Sequence, residues 1–472
     1  MNFLQKIKSA TSFGYDAATD SGRRKGPARA ASMPSEDAVL NRAQRKNVQS
    51  YARDVQRNFA LAAWAIRKHL DFISSFTFQA KTGDDVLDDE LESFIDQWGE
   101  RTNCDAARRH RLDRFVRLLE AKRVVDGDVF VLKLRNGTIQ AIEGDRVRTP
   151  SKAEARRAGV EVENFDAFVH GVEVDPRGGT RRLAVWSRDG NSYAFDRFVS
   201  SRFVSHYGFF DRFDQVRGIS PISASLNSLQ DVYENIDYSL AKAKVGQLFA
   251  LAFYRDAAGP LDGTTAGTDS DGDGIADSGY QFDPTAGPAM LDLDAGDKAE
   301  ILESKTPSAE FRDFMVEVSQ LALSALSIPY SFYDASHTNF YGSKGGINQY
   351  LKSCKAWRAD CRELLLDLTR WRIGVAVARG ELVLPRSIEL ESVRFDWIAD
   401  GLPWLNPLQE VNGFRSAVES GFDSPQRICQ QSGTNFYDNV DRIAEAINYA
   451  NERGVPLSFA MGPELPEYKV EE

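Results

Sequence analysis

The apolar residues of this chain change period at Gly127, which forces two kinds of secondary structure into its first half. Before that point Val39, Ala43, Val48, Tyr51, Ala52, Val55, Phe59, Ala62, Ala63, Ile66 and Leu70 recur at steps of three and four, so they share a helix face. One or two helices are expected to run to about Ile73, and "DDELESFIDQWGERT" and "AARRHRLDRFVRLLEAKRVVDG" read as more helix. After Gly127 the period is two. "DVFVLKLRNGTIQAIEGDRV" sets Asn136-Gly137 between alternating apolar runs, a strong local hairpin signal. Further strands are expected in "FVHGVEVDPRGGTRRLAVWSRD" and "FVSSRFVSHYGFF", making residues 128–210 a mainly β module of an α+β chain.

The second half reads as helix, loop-rich insertion, helix. Pro221 opens "PISASLNSLQDVYENIDYSLAKAKVGQLFALAFY", where a proline in the first turn removes no needed donor. Thirty residues of helix would reach roughly 45 Å. Leu226, Leu229, Val232, Ile236 and Leu240 give it an apolar stripe to pack, with Gln230, Asp231, Glu234, Asp237, Lys242 and Lys244 toward water. Residues 256–306 are rich in Gly and Asp, and a second helix follows in "PSAEFRDFMVEVSQLALSALS". "YSFYDASHTNFYGSKGGINQ" is irregular. Another helix is expected from "INQYLKSCKAW" to Gly380, carrying Cys354 and Cys361 on one face, then two short strands and a small helical C-terminal unit. Residues 10–37, centred on "GRRKGPARAAS", bury too little apolar surface to fold alone and read as a mobile basic arm, either a solvated tail or a contact for DNA or a partner.

Fifty-eight basic against 69 acidic residues leave a net charge of −11, which disfavours adhesive binding of nucleic acid over the whole surface. The four cysteines form no C-x-x-C pair and read as free thiols; no apolar stretch of about 18 residues encodes a membrane span. Phosphate-binding glycine loops, the G-x-S-x-G elbow and H-E-x-x-H are absent from the sequence, and the five histidines lack ligand spacing. The arginine run Arg108, Arg109, Arg111, Arg114 and Arg117 reads as a solvated helix face. Nothing in the sequence argues for catalysis.

"TDSDGDGIADSG" is the one sharp motif. Asp269, Asp271 and Asp273 fit calcium-loop positions one, three and five, Gly274 the turn, the Ile275 carbonyl position seven and Asp277 position nine. Position twelve is Tyr280, where a sensor hand supplies a bidentate glutamate. Two readings stay open: a calcium site of the non-EF kind, or a solvated acidic turn. The expectation is that no cofactor is required, with Ca2+ a possible ligand of this loop.

Several stretches together resemble the lambda-like portal family of tailed bacteriophages. They are "RDVQRNFALAAWAI", Trp98, "DGDVFV", "IEGDRV", "HGVEVDPRGG", "SHYGFFDRFDQVRGISPISASLNSLQDV", "IPYSFYDASHTNFYGSKGG" and "WLNPLQEVNGFRSAVESGFDSPQRICQQSG", in order over about residues 40 to 450. Asn406 stands where the family usually has Asp, and Phe340-Tyr341-Gly342 varies its tyrosine motif.

The resemblance implies an α+β portal fold with wing, two-helix stem, small clip and helical crown, assembled as a ring. Its parts would be an arm over 1–37, wing 38–219, stem helices 220–250 and 307–328, clip 251–306, tunnel loop 329–345, a wing return 346–406 and crown 407–472. It further implies a non-enzymatic head–tail connector of identical subunits, usually twelve, at one capsid vertex of the virion, assembled in the host cytoplasm without a membrane. Double-stranded DNA, the terminase large subunit, capsid and scaffold proteins and a head–tail adaptor would be its partners. Lys344, Lys242, Lys244 and Asn339 are the candidate channel residues. A calcium-dependent binding protein built around Asp269 to Asp277, and a metal-dependent phosphodiesterase, are the competing readings.

Overall fold

The computed structural model describes residues 35–157, 159, 162, 164–190, 192–248, 251–255, 297–301, 309–336, 338–385, 393–401, 406–455 and 457. The helical opening comprises α1 (Glu36–Val39), α2 (Arg42–Asn58) and α3 (Ala60–Ile73). Asn41 starts α2 as a reciprocal cap: its side chain accepts from the Ala43 and Gln44 amides, while Gln44 Oε1 accepts from the Asn41 amide at 3.1 Å. Phe59, with extended backbone, separates α2 from α3. β1 (Phe76–Ala80), α4 (Asp85–Gly99) and α5 (Leu112–Asp126) follow.

The switch of period is realised at β2 (Asp128–Lys133), which forms the expected hairpin with β3 (Ile139–Glu143). Next come a short helix α6 (Lys152–Arg157), then β4 (Phe168–Val169), β5 (Val172–Val174), β6 (Thr180–Asp189), β7 (Ser192–Ser200) and β8 (Val204–Gly208). They make two sheets, a three-stranded one in the order β3-β2-β8 and a four-stranded one in the order β4-β5-β6-β7. Every residue of β2 is buried. Alternate side chains of a strand point to opposite faces, so β2 walls off two cores. Val129 and Val131 join a large core with the helices; Phe130 and Leu132 join a smaller one with Ile142, Val172, Leu183 and Val185.

After a 3-10 turn, Pro221–Ser225, α7 (Leu226–Leu248) is followed by β9 (Leu251–Arg255), β10 (Asp297–Ile301) antiparallel to it, and α8 (Ala309–Ser324). α7 has 23 residues, about 35 Å, shorter than the pattern predicts: the turn after Pro221 is wound as a 3-10 helix, and residues 251–254, read as the end of the helical stretch, belong to β9. Its stripe divides. Leu226, Leu229 and Val232 are buried in the large core beside Leu323 and Leu326, but Ile236 and Leu240 are 50% and 51% exposed, where the pattern led us to expect packing.

The long helix α9 (Phe340–Arg379) begins about two turns before the point the sequence predicts. Asn339 caps it, accepting the Gly342 amide at 2.8 Å, and this overrides the weak propensity of the glycines that follow. Its end at Gly380, with φ +69, is as expected. Past it the described residues hold a single strand, β11 (Phe395–Ala399), where two were expected; it pairs antiparallel with β1, Phe78 facing Trp397. Helices α10 (Pro407–Glu419), α11 (Pro425–Gln431) and α12 (Phe436–Glu452) close the chain. They are joined to β11 where Gly401 and Gly433 meet backbone to backbone: a Cβ on Gly401 would lie 2.3 Å from the Ser432 carbonyl.

Candidate functional site

Charge that the sequence shows as scattered is gathered at the base of β2. Asp128, fully buried, accepts from Arg217 Nε at 2.6 Å and Nη2 at 3.0 Å, from Arg45 Nη2 at 3.0 Å and from the Gly218 amide at 3.0 Å, with His206 Nε2 at 3.3 Å. Arg217 also donates to the Val147 and Gly144 carbonyls at 3.1 and 2.8 Å, and to that of His170. One guanidinium therefore ties β2, the turn after β3 and the β4–β5 hairpin. Burial alone would raise the Asp128 carboxyl, but Arg217 and Arg45 hold it well below the carboxylate range. Burial lowers His206, although Asp128 opposes the shift.

The backbone must come close for this to form. A Cβ on Gly218 would sit 2.1 Å from the Gly127 oxygen, and one on Gly127, whose φ is +92, would sit 2.5 Å from the Gly218 oxygen. Only glycine at both places lets the segment before α7 lie on the end of α5.

Two further clusters flank this hub. Arg53 grips Asp126 through Nε and Nη2, both at 2.6 Å, and reaches Asp145 at 3.0 Å; Asp145 also receives Arg188 Nη2 at 2.9 Å and the Tyr193 hydroxyl at 2.5 Å. Burial opposes ionisation of Asp145, yet Tyr193, Arg53 and Arg188 together draw its pKa down to about 2. On the other side Glu120 is buried against His69 Nε2 at 2.8 Å, Arg123 Nε at 3.1 Å and the Tyr207 hydroxyl. Here too burial is the largest influence, and Arg123 and His69 override it to lower the Glu120 carboxyl. Arg123 Nη1 then reaches Asp360 on α9 at 2.7 Å.

Each carboxylate of these clusters is saturated by cations or hydroxyls, the arrangement of a lock rather than of a general acid or base. His69 and His206 are packing residues, as their lack of ligand spacing suggested. The clusters unite segments that lie far apart in the sequence: Arg53, "DGD", "IEGDRV", His170, His206 and Gln215 to Gly218. Their joint role was not foreseen. The one local signal was an aspartate opening a buried strand, ahead of the four apolar residues Val129 to Leu132.

The predicted site residues fall elsewhere. Asn339 is the cap of α9, and Lys344, in the second turn of that helix, pairs with Glu410 of α10 at 3.0 Å. Lys242 and Lys244 lie exposed on α7. Asp269, Asp271, Asp273, Ile275 and Asp277 lie outside the described residues. Among the described residues no group of three His, Cys, Asp or Glu is placed to hold a metal ion, and no helix is long and apolar enough to cross a membrane.

The probable portal protein of Halomonas phage phiHAP-1 is 24% identical to this chain over 412 residues, which cover 81% of this chain and 75% of the relative. Among solved structures, a chain from the neck of a native gene transfer agent particle computed with C12 symmetry is 13% identical, with a TM-score of 0.47 over 84% of this chain and 99% of its own. Another, from the neck of an empty particle of that kind computed with C6 symmetry, is 12% identical, with a TM-score of 0.47 over 85% and 94%. The family model for phage portal protein, lambda family, matches residues 21–358, a span that holds the whole hub from Arg45 to Arg217, and the chain thus belongs to the lambda family of phage portal proteins.

Proposed function

We propose that copies of this chain close into a ring whose axial channel passes double-stranded DNA into and out of a capsid, and that the ring serves as a dock for the packaging motor and then for tail or adaptor proteins. The observation that carries this reading is a set of apolar side chains on the helix pair that the described residues leave exposed. Ile236 and Leu240, one turn apart on α7, and Phe314 and Leu321, two turns apart on α8, are exposed along elements whose bases are sunk in the large core; Tyr233, beside Ile236, is half exposed with its ring edge against Phe59. A stripe of this extent asks for a neighbour, and membership of the portal family points to a second copy as that neighbour. The C-terminal helices give the same support. α10 and α11 bury no residue and α12 only Ala450, while Leu408, Phe422, Tyr437, Val440 and Ile443 are exposed.

In this reading α7 and α8 are the stem, the segment between them the clip, residues 329–345 with the capped start of α9 the channel-lining turn, and α10 to α12 the crown. The net charge of −11 suits passage, because phosphates moving past carboxylates meet no deep binding well. In this reading Lys242 and Lys244, exposed on α7, are the guiding cations, and Lys344, engaged by Glu410, serves less. The ring is structural and needs no cofactor for this task; the Asp269 to Asp277 segment is an addition to the clip, whether it binds calcium or stays a solvated acidic turn. Electron micrographs and native mass of the purified protein test the reading: closed annuli of many copies are expected, and a chain that stays monomeric at high concentration and with capsid proteins present overturns it.

A further inference from the structure

Between the first half of α9 and the C-terminal helices runs a groove of about 950 Å³. One wall is a single face of α9. Lys352, Lys355 and Arg358 follow Lys344 at about two, three and four turns, so the four cations form a stripe about 20 Å long. The other wall comes from α10 and α11, with Glu410, Phe414, Gln430 and Gln431, and with Ser432 held by the Gly401–Gly433 contact. In a chain of net charge −11, four cations facing one carboxylate across the groove is an inversion of the local sign.

Two of the four cations are left without an ion pair among the described residues, and a third keeps part of its guanidinium for a ligand. Lys352 and Lys355 are exposed and pair with no carboxylate among the described residues. Arg358 uses Nε on the Phe72 carbonyl at 2.6 Å. Burial lowers its guanidinium below the ordinary value, and Asp400 only partly offsets this. Lys344 alone is closed off, by Glu410 at 3.0 Å. An anionic ligand entering the groove would compete with Glu410 for Lys344 and meet Lys352 and Lys355 unopposed.

We propose that this groove binds the phosphodiester backbone of double-stranded DNA, through Lys352 and Lys355 as the exposed contacts and Arg358 as the inner one. The proposal rests on the reading of the chain as a DNA conduit, and it places a grip on DNA at the junction of α9 and the C-terminal unit, apart from the stem lysines. An extended row of separate charges with amide and hydroxyl donors opposite fits a repeating phosphate chain better than one compact anion. Such contacts hold position without reading sequence.

The test is binding of a 30-base-pair duplex to the full-length protein across a salt series. Each phosphate contact contributes about 0.9 to the slope of log K against log salt. The double variant Lys352→Gln with Lys355→Gln is expected to lower that slope by about 2. Lys152→Gln with Arg157→Gln on α6, which removes the same charge from exposed positions elsewhere, is expected to leave it within about 0.5. Equal slopes for wild type and the groove variant, or equal losses for the two double variants, overturn the proposal. So does tighter binding of poly-glutamate than of the duplex at matched charge and salt, lost in the groove variant, which would assign the groove to an acidic protein segment. Native mass of the same samples separates the two levels: rings that form normally but bind with an unaltered slope sink the groove alone, and absence of rings in the wild type sinks the conduit reading.

Discussion

Arg217 and Asp128 meet as a fork in the interior, Nε to Oδ2 at 2.6 Å and Nη2 to Oδ1 at 3.0 Å, with neither side chain exposed to solvent. The pair joins residues far apart in the chain, and a second guanidinium, that of Arg45, shares the carboxylate. Asp128→Asn leaves two buried cations facing a neutral amide. It is expected to cost about 3–5 kcal/mol, read from the urea midpoint of the full-length protein. Arg217→Lys, which keeps the charge but loses the fork, should fall between that variant and wild type. A midpoint for Asp128→Asn within about 0.5 kcal/mol of wild type would remove the hub's structural role.

Gly218 and Gly413 make opposite predictions for the same substitution. Gly218→Ala places a methyl 2.1 Å from the Gly127 carbonyl oxygen, so the segment before α7 must move off α5 and the hub opens. Gly413 sits inside α10 with no atom within 4 Å of its added Cβ. Gly413→Ala is therefore expected to stabilise by about 0.5–1 kcal/mol through reduced freedom of the unfolded chain, while Gly218→Ala yields protein that unfolds early or fails to accumulate. Thermal melts of both decide it.

Acid should weaken the fold in a window that Asp145 sets. Its pKa is lowered from 3.8 to about 2 in the folded state, so its contribution is fully present above the unfolded value and is lost as pH falls toward 2. The amount is on the order of 1–2 kcal/mol, less than the shift alone implies because Arg188 and Glu143 keep the cluster's outer edge wet. Urea midpoints of wild type should fall between about pH 4 and pH 2 more steeply than those of Asp145→Asn. Parallel curves would show that the carboxylate is not held as described.

The exposed stripe predicts a separation of assembly from folding. Ile236→Asp with Leu240→Asp alters two side chains that are half in solvent, so the stability of the single chain should change by less than about 1 kcal/mol. Native mass should nevertheless lose the ring. A double variant that assembles as wild type does would show that this face is not the contact between copies.

What could be read from the sequence was whatever is local. Asn136-Gly137 fixed a hairpin, Pro221 the opening turn of the helix pair and Gly380 the end of α9, because each acts within a few residues through φ or a missing amide. The hub was opaque for the converse reason. Asp128 finds Arg45 at a separation of 83 residues and Arg217 at 89, and no periodicity links them. The start of α9 was missed through weight given to glycine propensity over one capping oxygen on Asn339. The amphipathic pattern of α7 was legible, but Ile236 and Leu240 are apolar for a surface that one chain does not supply. Of the site residues, Lys344 was named for its charge, while its partner Glu410 and its companions Lys352, Lys355 and Arg358 emerged only once α10 and α11 were seen to lie across α9.

α9 carries a mechanical consequence in its 40 residues. Asp367 anchors it to Lys133 at 2.7 Å, whereas Phe340, at the other end, lies about 40 Å away along the axis. Between those points Tyr350, Cys354, Cys361 and Leu365 are buried in the large core, Arg358 donates to the Phe72 carbonyl and Asp360 holds Arg123, so α9 is fastened along most of that length. A strain near β2 therefore spreads through this packed rod into the large core and toward the Lys344–Glu410 contact, so the two ends of α9 are coupled through close packing.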